Sequence, residues 1–172
     1  MHCRSKFFSM PFLKTICIVC IAAILLASCG RVDVYEKNTS IPSYAWSRSY
    51  HAKGTFIITD TVGLYNIYIV LRHLDKYPYN NIWLNIGLKS PGDSMYNQKV
   101  NLSLGNDLNG WEGTGMNDIW EVRKLISGQS RRFKKAGDYT FDITHVMRDE
   151  PLQGIMSAGI RVEKAIAVAP KN

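Results

Sequence analysis

Ile82-Trp83-Leu84-Asn85-Ile86-Gly87-Leu88-Lys89 is the stretch that decides the fold: apolar residues occupy every second position, with Trp83, Asn85, Gly87 and Lys89 between them. Successive side chains of a strand point to opposite faces, so this pattern predicts a half-buried β-strand. The same period recurs outward from it. Phe56 and Ile58 oppose Thr55, Ile57 and Thr59, and Ile67, Ile69 and Leu71 oppose Tyr68, Val70 and Arg72. Val100, Leu102 and Leu104 alternate in the same way, as do Tyr139, Phe141 and Ile143, and then Ile160 and Val162. Tyr77-Pro78-Tyr79-Asn80-Asn81, Ser90-Pro91-Gly92-Asp93, Gly105-Asn106-Asp107 and Asn109-Gly110 supply turn chemistry between them. Six to eight such strands, without a long helical stripe, predict an all-β chain: a single antiparallel β-sandwich, jelly-roll-like.

A different pattern precedes this domain. Arg4, Lys6 and Lys14 give a basic start, Thr15 to Leu26 is an apolar run, and Leu26-Ala27-Ser28-Cys29 follows at once. This is the order of a secretory signal. The run would reach only about 18 Å as a helix, short of the ~30 Å hydrocarbon core. The small residues before Cys29 resemble the bacterial lipobox. Residues 1–28 are therefore expected to be a lipoprotein signal peptide and Cys29 the lipidated first residue of the mature protein. Residues 29–48 read as a tether and lead segment ending in Ile41-Pro42-Ser43-Tyr44-Ala45-Trp46, and residues 49–172 as the sandwich.

Cleavage changes what the composition permits. Cys3, Cys17 and Cys20 leave with the signal, so the mature chain has no disulfide framework, thiolate metal site or cysteine nucleophile. Three of the 21 basic residues leave and all 14 acids stay, so the formal charge falls from +7 to +4, a bias too mild to imply nucleic acid. His51, His73 and His145 show no zinc-ligand spacing. His145 reads as a strand-end histidine beside solvated acids, and His73 with Asp75 as a turn entrance. Gly113-Thr114-Gly115 lacks a phosphate-cradling pattern, and no Gly-x-Ser-x-Gly elbow exists. No catalytic residue, metal or cofactor is expected.

Aromatic residues are the better lead. Trp83 and Trp120, on strand patterns, read as core or inter-sheet residues, while Trp111 lies in a polar loop. Rings exposed in one plane would instead suit a glycan. Arg131-Arg132-Phe133-Lys134-Lys135 is the one basic cluster. It reads as a solvated strand edge that discourages unwanted pairing, with contact to anionic headgroups beside the anchor as the alternative.

Several segments together resemble the family of the gliding-motility lipoprotein GldH. They are residues 65–72 and 77–84, Gly110-Trp111-Glu112-Gly113-Thr114-Gly115 with Asp118-Ile119, Gly137-Asp138-Tyr139-Thr140-Phe141, residues 147–156 and residues 159–164, with Val34-Tyr35-Glu36 and Ile41-Pro42 ahead of them. The resemblance implies a non-enzymatic envelope lipoprotein of the gliding machinery and, by association, of type IX secretion, working through protein contacts. Relatives also occur in bacteria that do not glide. A glycan-binding sandwich is the alternative. Where the resemblance is strongest it suggests Tyr77, Tyr79, Trp111, Arg148 and Asp149 as binding residues, although Pro78, Gly110, Gly113 and Gly154 there also suit simple backbone needs. Gly30, where an inner-membrane retention signal would often place Asp, points to the outer membrane. The lack of acids just after Cys29 points to a domain facing the periplasm.

Overall fold

The computed structural model describes residues 34–165; Cys29 and the signal segment lie outside them. The strands are β1 Val34–Ser40, β2 Ala45–Trp46, β3 Ala52–Ile58, β4 Tyr65–Leu74, β5 Asn81–Lys89, β6 Met95–Ser103, β7 Gly105–Asn106, β8 Gly110–Trp111, β9 Thr114–Met116, β10 Ile119–Leu125, β11 Gly137–His145, β12 Leu152–Gln153 and β13 Ile155–Lys164. A single 3-10 turn, Pro42–Tyr44, is the only helical element among the described residues. One sheet runs β1-β13-β4-β10-β9 and the other β3-β11-β5-β6, and every pairing is antiparallel. Numbering the eight long strands in chain order turns these into 1-8-3-6 and 2-7-4-5. That is the jelly-roll order, two interlocked Greek keys.

The alternation read from the sequence sets what lies between the sheets. Ile67, Ile69 and Leu71 of β4, Ile82 and Leu84 of β5, Phe141 and Ile143 of β11, and Ile160 and Val162 of β13 are all buried. Aromatic rings close one end of the sandwich. Phe56 stacks on Tyr139 with centroids 5.5 Å apart, and Phe133 meets Tyr139 edge-on at 4.7 Å and Tyr65 at 5.3 Å.

The β-domain begins earlier than the sequence pattern suggests. Residues 34–40, read as tether, form a strand paired along its whole length with β13, from Val34 opposite Glu163 to Ser40 opposite Ser157. Ile41 continues the ladder by donating to the Met156 carbonyl at 2.8 Å, and Trp46 is completely buried, its indole N–H on the Tyr50 carbonyl at 2.8 Å. Between positions 35 and 40 only Tyr35 packs against the core, among Glu36, Lys37, Asn38, Thr39 and Ser40, so the strand offers no apolar alternation to a period-two reading. Trp83 also differs from expectation. It stands on the outer face of β5 and is 44% exposed, whereas Trp120 is half-buried with its N–H on Asp75 at 3.1 Å.

Candidate functional site

The end of the sandwich opposite the Phe133 plug is built by four connections: residues 75–80 between β4 and β5, residues 104–118, residues 146–151 after β11, and the Pro42–Tyr44 turn. Bonds between loops and local turns together shape them. Asp75 donates its N–H to the Asp118 carbonyl at 2.7 Å, and Leu104 and Gly105 both donate to the Asn80 carbonyl. The Asn106 side chain accepts from the N–H groups of Leu108 and Asn109, closing a tight hairpin that leaves Leu108 95% exposed at its tip. Glu112 accepts from the Ser103 hydroxyl at 2.7 Å and forms a close ion pair with Lys124, fixing the loop that follows Trp111. Lys124 first and Ser103 next hold the Glu112 carboxyl below the usual carboxylate range.

An aromatic stack fills this end. His73 is fully buried; Trp111 meets it edge-on at 4.6 Å and Tyr77 lies at 5.7 Å. Tyr77 in turn meets Tyr79 edge-on at 5.8 Å. Tyr77 is 3% exposed, and its hydroxyl donates to the Asn81 carbonyl at 3.1 Å. Burial pushes its phenol well above the usual tyrosine range and holds the His73 imidazole below its ordinary pKa. Tyr79 reaches further out, and its hydroxyl donates to Asp149 Oδ2 at 2.7 Å. That bond to a carboxylate is the main reason the Tyr79 phenol is raised.

A clasp holds residues 147–150 against the Trp46 segment. The Arg48 guanidinium donates to the carbonyls of Met147 and Arg148, each at 2.8 Å. Glu150 accepts from the Ser47 hydroxyl at 2.8 Å and from the Arg48 backbone N–H. Under the clasp, His145 is buried with the Trp46 ring 5.5 Å away, and Glu150 lies 3.7 Å from its Nε2. Burial holds this imidazole below its ordinary pKa against the pull of Glu150. Ser43 and Tyr44 nearby both adopt positive φ, 52° and 57°, and the Tyr44 carbonyl receives the Gly154 N–H at 2.8 Å. Backbone of this kind costs about 1–2 kcal/mol per residue and gathers at working ends of proteins.

Of the residues suggested for binding, Arg148 and Asp149 are exposed at this end, Tyr79 and Trp111 are half-buried, and Tyr77 is a packing residue beneath them. Cys29 lies outside the described residues. The Ser47–Arg48–Glu150 clasp carried no local signal, since its halves are about a hundred residues apart in the chain. Among the described residues no hydroxyl or thiol is hydrogen-bonded to a histidine ring; His51 pairs with Asp142 at 2.6 Å on the surface. No group of three potential metal ligands gathers there either, and no helix of the described residues is long and apolar enough to cross a membrane. What the arrangement offers is a rigid, outward-facing set of polar and apolar loop tips.

The model of the GldH lipoprotein family matches residues 33–162. The gliding motility lipoprotein GldH of Flavobacterium johnsoniae is 29% identical over 154 residues, covering 86% of this chain and 94% of that protein. A gliding motility lipoprotein GldH homolog of Christiangramia forsetii is 27% identical, covering 94% of this chain and 98% of its own length. A solved structure of tomato aspermy virus aligns at TM-score 0.31 and 10% identity, covering 91% of this chain and 100% of that one. The fold assignment rests on strand order alone.

Proposed function

The chain belongs to the GldH lipoprotein family, and from that premise we propose that it is a non-enzymatic envelope component of the gliding-motility machinery and its associated type IX secretion system. On this reading Cys29 carries the lipid, the anchor is in the outer membrane, and the domain faces the periplasm. The work is done by protein contacts at the loop end. The observation that carries the reading is the way Tyr79, Asp149 and the Arg48–Glu150 clasp hold separate loops in one fixed surface. Leu108 and Met116 stand exposed on the same end, the sort of apolar tips that anchor a partner. Mild detergent extraction of the native lipidated protein, followed by crosslinking and mass spectrometry, is expected to recover envelope proteins. Arg148→Glu, at an exposed side chain outside the clasp, should weaken their recovery while leaving the fold intact. Recovery of the unaltered protein only as a free monomer would overturn the proposal.

A glycan-binding role is the second reading, and one feature favours it. The exposed Trp83 ring sits beside an asparagine ladder on the outer face of β5 and β6, where Asn81 donates to Asn101 at 2.8 Å and Asn85 to Asn97 at 3.5 Å. Trp83→Ala should abolish retention on a polysaccharide column if this face holds sugar, and retention of the variant would remove the idea.

A further inference from the structure

The start of β1 and the basic cluster lie at the same end of the sandwich. Val34 is opposite Glu163, Glu163 is opposite Asn66, and the neighbouring Tyr65 is bonded in both directions to the backbone of Arg131, at 2.8 and 3.0 Å. Three lateral steps between strands place Arg131 on the order of 14 Å from the start of β1. Cys29 is five positions before Val34 in the sequence, and five residues of chain reach at most about 18 Å. The ten-residue strands β4 and β13 are roughly 33 Å long. A bilayer holding Cys29 is thus within reach of this end and not of the loop end described above.

This end is built to present charge and apolar surface together. Phe133 is buried among Phe56, Tyr65 and Tyr139, so it plugs the sandwich and pins residues 131–135 as a loop. It is not the strand edge the sequence suggested, apart from the single bridge at Arg131. With Phe133 turned in, Arg131, Arg132, Lys134 and Lys135 are all exposed. Lys135 pairs with Asp93 at 2.6 Å and Lys164 with Asp60 at 2.7 Å, while no carboxylate pairs with Arg131, Arg132 or Lys134 among the described residues. Asp138 is also exposed, near the start of β11. A cleft of about 470 Å³ opens beside the four cations, bounded by Asp93 and Tyr139.

Alongside runs the connection between β3 and β4, where Val62 is 75% and Leu64 44% exposed. The loop is held in shape: Asp60 accepts from the N–H groups of Val62 and Gly63 at 2.8 and 2.9 Å, and Arg132 donates to the Val62 carbonyl at 2.9 Å.

We propose that this end is a docking face for anionic phospholipid headgroups, which holds the domain upright on its membrane with the loop end pointing away. The inference rests on the reading of Cys29 as the lipidated residue. Arg131, Arg132 and Lys134 meet phosphate, and Val62 and Leu64 enter the boundary with the acyl chains. A soluble polyanion or an acidic protein would use the cations and leave the apolar tip without a partner.

Lipidation leaves the mature chain without a free thiol, so Val62→Cys can carry a single environment-sensitive fluorophore, with Leu108→Cys as the reference at the far end. The lipidated protein is reconstituted into vesicles of phosphatidylcholine, or of phosphatidylcholine with phosphatidylglycerol. The Val62 probe is expected to shift to the blue only in the anionic vesicles. The shift should reverse near 1 M salt, where screening acts within ~3 Å. Combining Arg131→Gln and Lys134→Gln, which leaves the Arg132 bond to the Val62 carbonyl in place, should lower docking by about fivefold per charge removed, with an unchanged melting temperature. A Val62 probe as wet as the Leu108 probe in both vesicles, or an equal shift in both, would overturn the docking face alone. An intact mass lacking the lipid would overturn the anchoring as well.

Discussion

Gly113 sits at φ +91°, and a Cβ there would lie 2.1 Å from the Glu121 carbonyl oxygen, inside the β9–β10 edge of the sheet. Gly110, three residues earlier at φ +72°, has open space around it. The two glycines of one motif therefore do different jobs. Gly113→Ala is expected to cost about 2–4 kcal/mol, read as a lowered denaturant midpoint, and Gly110→Ala about 1–2 kcal/mol from backbone conformation alone. The buried histidines set a second residue-scale outcome. His73 and His145 both have folded pKa values below the ordinary 6.5, so the unfolded chain takes up protons first. Their contribution is complete above about pH 6.5 and is lost as pH falls through the folded values. Stability measured from pH 7 down to 5 should fall by at most ~1.4 kcal/mol per pH unit for each histidine. His73→Phe should flatten that slope.

At the scale of elements, Trp46 shows where a sequence reading stops. Nothing around Ala45–Trp46 alternates, yet the two-residue strand β2 pairs with β12 and seats the indole in the core. Trp46→Ala should cost about 3–5 kcal/mol in chemical unfolding, a loss no tether residue would produce. Strands β5, β11 and β13 were legible because both sheets bury one face of each. Strand β1 was not, because Glu36, Lys37, Asn38, Thr39 and Ser40 leave it no apolar alternation, and β10 showed only through Trp120, because Lys124 follows Val122 on the same face. Arg72 and Arg123 hold Glu121 at 2.7 and 2.8 Å, and Arg161 holds Glu36 at 2.9 Å, a chain of ion pairs laid across four strands. Pairing of this kind depends on residues far apart in the chain, and no local period encodes it. The same holds for the candidate site. Turn residues such as Pro78 and Gly110 marked the loops, but the burial of Tyr77 and the Arg48–Glu150 clasp exist only once β4, β5 and β11 are brought together.

For the whole molecule, the two ends have separate chemistries: an aromatic plug with cations near the start of β1, and clasped loops some ten residues of strand away. Cys29→Ser is expected to leave the precursor unlipidated and uncleaved at residue 29, read from its mass and its partition into detergent; normal processing would contradict the anchor. The pairing of β1 with β13 also has a mechanical meaning. Its seven register pairs lie side by side along the direction in which a pull between the N-terminus and the loop tips would act. Antiparallel ladder bonds stand perpendicular to the strands, so such a pull shears them together and does not peel them one by one. Stretched between its N-terminus and position 79, the domain should resist to a higher force than when stretched between its N-terminus and position 62, where the handles share one end. A domain pulled from its N-terminus against a partner at its loop tips would thus carry load along the grain of its sheet.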